Sequence, residues 1–129
     1  MKVLDTTVIV DITRKNISEE KSLKLLESSA ITEHTVYELL IGLYSAQEIP
    51  AERVLKLVKF LDRISVLQFS RGASIKSAEI CGLLKKTGQE IEDIDCLIAG
   101  TALANGITTI VTRNKNHFKK IPGLKVETY

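Results

Sequence analysis

The sequence predicts an α/β fold of three layers, with helices on both faces of a mainly parallel sheet of about five short strands. Three observations carry that prediction. Short apolar runs recur along the chain, at Met1 to Leu4, Ser29 to Thr32, Ile64 to Phe69, Thr109 to Thr112 and Leu124 to Glu127. The gaps between them hold apolar residues at three-and-four spacing, and strands alternating with helices imply βαβ units. The first run ends on an acid, Asp5, and passes at once into a helical pattern, which is how a parallel sheet begins. A length of 129 residues suits one domain, 1–129, with a real core.

The elements follow in order. After Asp5, the spacing of Val8, Ile9, Val10 and Ile12 predicts a helix rather than a strand. Ser18-Glu19-Glu20-Lys21 reads as the start of a second, with Leu23, Leu25 and Leu26 on its apolar side. A third helix is predicted from Thr35 through Val36, Leu39, Leu40 and Leu43. Its opening, Thr35-Val36-Tyr37-Glu38, has the form of a capping box, with Thr35 as cap and Glu38 reaching back. Ile49-Pro50 breaks that helix, and Pro50 suits the first turn of the next. That fourth helix holds Val54, Leu55, Leu57, Val58, Phe60 and Leu61, more than one narrow stripe can bury. Ser70 caps a long helix through Ile75, Ala78, Ile80, Leu83 and Leu84, which Gly88 ends. A further helix runs from Asp93 to Asn105-Gly106. The charges of Lys125 and Glu127 put the last strand at an edge of the sheet.

Composition narrows the function. Hydrophobic residues make up 44% and charged residues 26%, the balance of a soluble globular chain. A net charge of +2 is too small to announce a nucleic-acid binder by itself. The cations are unevenly spread, however. Arg113, Lys115, Lys119, Lys120 and Lys125 crowd the last fifth, where Glu127 is the only acid. Cys81 and Cys96 form no CxxC motif, so neither a disulfide framework nor a zinc site is expected, and a reduced, cytoplasmic setting is. No apolar run has the length of a membrane span, and no signal peptide precedes the first strand.

Three acids stand where strands or loops turn into helices, and each has a structural reason to be there. Asp5 can cap the helix after it, Glu38 can close the capping box, and Asp95 can sit on the positive end of a helix dipole. Their joint pattern argues for more. Parallel α/β geometry puts such junctions on one edge of the sheet, where ligands bind. Converging carboxylates repel and raise one another's pKa unless a cation neutralises them. Oxygen ligands without nearby His or Cys favour Mg²⁺ or Mn²⁺. Such a cation keeps positions open for water and phosphate oxygens, the equipment for phosphodiester hydrolysis.

At these residues the chain resembles PIN-domain ribonucleases, in particular the small VapC-type toxins of toxin–antitoxin pairs. The matching stretches are Leu4-Asp5-Thr6-Thr7, Thr35-Val36-Tyr37-Glu38-Leu39, Asp95-Cys96-Leu97-Ile98-Ala99 and Thr112 to Phe118. No single motif is specific, but four in order along nearly the whole chain are. The resemblance implies a PIN-like three-layer fold and a metal-dependent endoribonuclease with Asp5, Glu38 and Asp95 as its acidic cluster. Thr6 and Thr112 match the family's hydroxyl positions. Many members carry a fourth acid in the closing motif, where this chain has Asn114 and His117. Asn114 can ligate through its carbonyl, and Asp93 can supply the missing carboxylate, so the departure bears on a second metal position. His117 is read as a surface histidine beside a core Phe118. Arg113, Lys115, Lys119 and Lys120 are expected on the RNA backbone.

Other chemistries fit less well. An aspartyl-phosphate phosphatase wants an Asp two residues after Asp5, where Thr7 stands, and a receiver domain wants an early acidic pair. Cys96 reads as a packed thiol, and glycine-rich phosphate or dinucleotide motifs are absent. The remaining alternative is an RNA- or protein-binding module that keeps the scaffold without activity. Surplus apolar surface on the Thr35 to Leu61 hairpin predicts a partner. The resemblance implies both a homodimer and a groove for an antitoxin, whose inserted Arg would reach the acids.

Overall fold

The computed structural model describes Met1–Tyr129. Five strands, β1 (Lys2–Leu4), β2 (Ser29–Thr32), β3 (Ser65–Leu67), β4 (Thr109–Val111) and β5 (Lys125–Glu127), form one sheet in the order β3-β2-β1-β4-β5. Every pair is parallel, with Val3 opposite Ala30 on one side and Ile110 on the other. The expected edge position of β5 holds, and Lys2 and Glu127 form an exposed ion pair at 2.6 Å.

Seven helices cover the sheet: α1 (Thr6–Thr13), α2 (Glu19–Leu26), α3 (Glu33–Tyr44), α4 (Ala51–Leu61), α5 (Arg71–Lys86), α6 (Asp93–Ala104) and the short α7 (Lys115–Phe118). Alternation along the strands splits the core in two. Val3 and Ile110 face Ile80, Leu84, Ile98, Ala99 and Phe118, from α5, α6 and α7. Leu4 and Val111 face the opposite way, toward Val8, Ile9, Leu39, Phe60 and Leu61 of α1, α3 and α4. That two-sided burial is why the central strands read as unbroken apolar runs.

Ser18 and Ser70 cap α2 and α5 as predicted, accepting from the amides of Lys21 and Ala73. The capping box at Thr35 does not form. The helix begins two residues earlier, and Thr32 is the cap, accepting from the Thr35 amide at 3.4 Å. Thr32 ends the strand and Thr35 lies in the first helical turn, and periodicity alone does not separate a cap from a first turn. The correction matters for function, because Glu38 is then free of any capping role.

α5 and α6 approach closely at one point. A Cβ built on Gly100 would lie 2.6 Å from the Ser77 Cα and 2.6 Å from its amide nitrogen. Only glycine lets these two backbones meet. The long α5 is thereby pressed against α6, the helix that carries Asp95 in its first turn.

Candidate functional site

The site begins with strand order. β1 sits at the centre, with β2 on one side and β4 on the other, so the chain leaves β1 in one direction and returns later in the other. The crevice of a parallel sheet opens at such a reversal, beyond the carboxyl ends of the strands. Asp5 directly follows β1 and Thr112 directly follows β4. The Thr112 hydroxyl donates to Asp5 Oδ2 at 2.8 Å, and the Thr7 hydroxyl donates to the same oxygen at 3.1 Å. Asp5 is the N-cap of α1 by backbone geometry, but its carboxylate makes no capping bond and faces the crevice instead.

The other two acids arrive from neighbouring helices. The Thr6 hydroxyl donates to Glu38 Oε1 at 2.6 Å and lies 3.0 Å from the Thr35 hydroxyl. Asp95 comes from the first turn of α6, its Oδ2 lying 2.9 Å from His117 Nδ1. Asp5, Thr6, Glu38, Asp95, Arg113 and Asn114 line one pocket of ≈ 180 Å³, with Glu92 and His117 at its wall.

Electrostatics follow from that convergence. Burial pushes the Glu38 carboxyl above its ordinary range; the Thr6 hydrogen bond opposes this, and the charges of Asp5 and Asp95 reinforce it. Asp95 is raised likewise by burial and by Asp5, while its bond to His117 pulls it down. Both carboxyls want positive charge nearby. The carboxylate oxygens and the Asn114 amide suit Mg²⁺ or Mn²⁺, and the one imidazole at the pocket wall, His117, is engaged through Nδ1 with Asp95. They do not close into a preformed cage of three ligands, since each carboxylate is turned toward its own hydroxyl or imidazole partner. Mg²⁺ needs no such cage, as it keeps several waters and takes one or two carboxylates.

Several expected residues lie elsewhere, and others were missed. Asp93 does not line the pocket; its Oδ1 lies 3.7 Å from Cys81 Sγ, on the α5 side. Helical geometry accounts for this, since residues three apart share a face and those two apart do not. The companion of Asp95 in the pocket is therefore Glu92. Lys115, Lys119 and Lys120 lie on or just after α7 and do not line the pocket. His117 is a correction of the opposite kind: only Phe118 turns into the core, and His117 turns onto Asp95. Thr7 was also missed, though a hydroxyl two residues after a strand-end acid is placed to reach back to it.

A second hollow, of ≈ 540 Å³, runs between α1, α3 and α4 and is lined in part by Val10, Leu39, Leu43, Leu57 and Phe60. Thr6 and Glu38 belong to both hollows, so the apolar groove and the acid pocket share a wall.

Comparison with known proteins agrees with this fold. The family model for the PIN domain matches residues 2–124. The tRNA(fMet)-specific endonuclease VapC of Shigella flexneri is 30% identical over 129 residues, covering 98% of this chain and 96% of that protein. Ribonuclease VapC1 of Methanocaldococcus jannaschii is 32% identical over 126 residues, covering 96% of this chain and 85% of that protein. Among solved structures, VapBC2 from Rickettsia felis, bound to a DNA fragment from its promoter, superposes with a TM-score of 0.86 at 30% identity. It covers 99% of this chain and 98% of the other.

Proposed function

The chain belongs to the PIN domain family, and from that premise we propose that it is a Mg²⁺- or Mn²⁺-dependent endoribonuclease, the toxin of a toxin–antitoxin pair. The observation that carries the reading is the convergence of Asp5, Glu38 and Asp95 on one pocket at the sheet's reversal. Relatives named as VapC ribonucleases support the same conclusion.

In this reading Asp5, Glu38 and Asp95 hold the cation, with Asn114 adding a neutral oxygen. Bound there, the cation supplies an activated water and an electrophile for a phosphodiester. The protein's own groups do the positioning. Thr112 and Thr7 fix the Asp5 carboxylate, Thr6 fixes Glu38, and His117 fixes Asp95. Arg113 borders the pocket and is assigned to a phosphate of the RNA, with Lys115, Lys119 and Lys120 farther along the backbone.

Cleavage of single-stranded RNA in Mn²⁺, and none in EDTA, tests the proposal; persistent inactivity in Mn²⁺ would favour the binding module. Mn²⁺ is also expected to raise the melting temperature, because it binds the folded pocket and not the unfolded chain. That increment should shrink as pH falls from 7 toward 5. Glu38 and Asp95 take up protons above the ordinary carboxylate range, and those protons compete with the cation. An increment that is flat with pH would place the cation elsewhere.

Partners follow from the helical hairpin. Tyr37, Ile41 and Tyr44 form an exposed stripe along α3, and Leu55 and Val58 are exposed on α4. We assign this surface to a second copy of the chain, and the groove behind it to a segment of an antitoxin. The VapBC structures, which pair such toxins with their antitoxins, support the latter. An arginine from that segment would meet Glu38 at the shared wall. Light scattering at micromolar concentration should give the mass of a dimer; a strict monomer would remove the homodimer.

A further inference from the structure

One buried carboxylate stands outside the acid pocket. Asp11, 5% exposed, lies on α1 close to the surface, covered by polar side chains. Its partners are specific. Asn16 Nδ2 donates to Oδ1 at 2.9 Å, and the Tyr129 hydroxyl donates to Oδ2. These two bonds hold the carboxyl below its usual range, while burial and the bond to Asp11 push the Tyr129 phenol up to about 12. Lys21 Nζ lies over the Tyr129 ring, 5.7 Å from its centroid.

The third partner is Arg113, whose terminal nitrogen lies 3.4 Å from Asp11 Oδ1. The pair is lopsided: the arginine side chain is 57% exposed and the aspartate 7%. One nitrogen faces the protein, which leaves other donors of the fork facing solvent at the pocket's edge. The same residue is held at its other end, since the Arg113 amide donates to the Thr7 hydroxyl at 3.1 Å, and Thr7 donates in turn to Asp5. An exposed arginine ordinarily sweeps many rotamers. This one is held at its backbone amide by Thr7 and drawn at its guanidinium toward Asp11 by the 3.4 Å ion pair, on the side of the acid pocket.

We propose that Asp11, locked by Asn16 and Tyr129, is a positioning residue that orients the Arg113 guanidinium toward a phosphate of single-stranded RNA in the acid pocket. The inference rests on the reading of Arg113 as a phosphate contact. Its sign separates it from bulk electrostatics. Removing a negative charge beside an RNA site should tighten binding if charge alone matters. Removing the anchor of the only arginine lining the pocket alongside those acids should weaken it.

Binding of a fluorescein-labelled single-stranded RNA of mixed sequence is measured by anisotropy in EDTA, at several salt concentrations. R113Q is expected to raise the Kd about ten-fold, as for loss of one charged hydrogen bond, and to lower the salt slope by about 0.7, one phosphate contact. D11N should raise the Kd about three-fold, the cost of immobilising one long side chain again, and Y129F should act in the same direction without changing any charge. In the R113Q background, D11N should weaken binding no further. Tighter or unchanged binding by D11N or Y129F, with R113Q weakened, would overturn the positioning role and leave the phosphate contact standing. Wild-type binding by R113Q, or no RNA binding by the parent chain, would overturn the inference at its premise, while Mn²⁺-dependent cleavage would still stand or fall by itself. If Arg113 served only to neutralise Asp11, R113Q would lower the melting temperature and leave RNA binding unchanged. Y129F keeps the question open to refutation should D11N fail to fold.

Discussion

Asp5→Asn is expected to abolish RNA cleavage while leaving the protein folded. Asp5 is the acid at the reversal of the sheet, and its charge is felt by both Glu38 and Asp95. An amide of the same shape keeps one oxygen for the Thr112 and Thr7 hydroxyls. It does not keep the charge proposed to hold a divalent cation. Losing about 4 kcal/mol of transition-state stabilisation corresponds to roughly a thousand-fold in rate. Stability should move the other way or not at all, because a source of repulsion in the pocket has gone. Single-turnover cleavage and a thermal melt of the same preparation check both halves. Wild-type turnover in this variant would end the proposed mechanism, and an unfolded variant would show Asp5 to be structural.

Gly100→Ala should be the most damaging small substitution in the fold. Elsewhere in a helix the exchange is favourable by about 1 kcal/mol, since alanine is the better helix former. Here the new methyl would lie 2.6 Å from the Ser77 Cα, and backbone cannot swing aside as a flexible side chain can. Overpacking of this kind costs about 3 kcal/mol, or roughly a 10 °C fall in melting temperature for a chain of this size. Activity should fall as well, since α6 carries Asp95. A melt at or above the wild-type midpoint would mean that the two helices separate freely.

The fold was largely legible in the sequence because its central strands are buried on both faces. Ala30-Ile31 and Ile110-Val111 read as strands without any partner in view, and Gly88 and Gly106, both at positive φ, mark helix ends as expected. The acids of the site were legible for a similar reason, each standing next to a local boundary. What escaped was everything set by rotation about a helix or by distant chain. Glu92 and Asp93 are adjacent in sequence, and only the phase of α6 decides which one meets the pocket. The cap of α3 is Thr32 rather than Thr35, a shift too small for periodicity to register. Tyr129 reaches Asp11 across the whole length of the chain. The one local hint was Asp11 itself, a charge inside the run Val8-Ile9-Val10-Asp11-Ile12, where a buried acid implies partners somewhere.

The wall shared by the apolar groove and the acid pocket makes the two sites thermodynamically reciprocal. If a cation binds at Glu38 as proposed, any occupant of the groove that changes its affinity there would have its own affinity changed by the same factor, whichever binds first. Inhibition and activation are then two readings of one coupling free energy. Evolution cannot retune them separately at Glu38. Changes to the grip of a groove occupant alone would come from its far side, at residues such as Leu43, Arg53 and Lys56, which do not line the acid pocket.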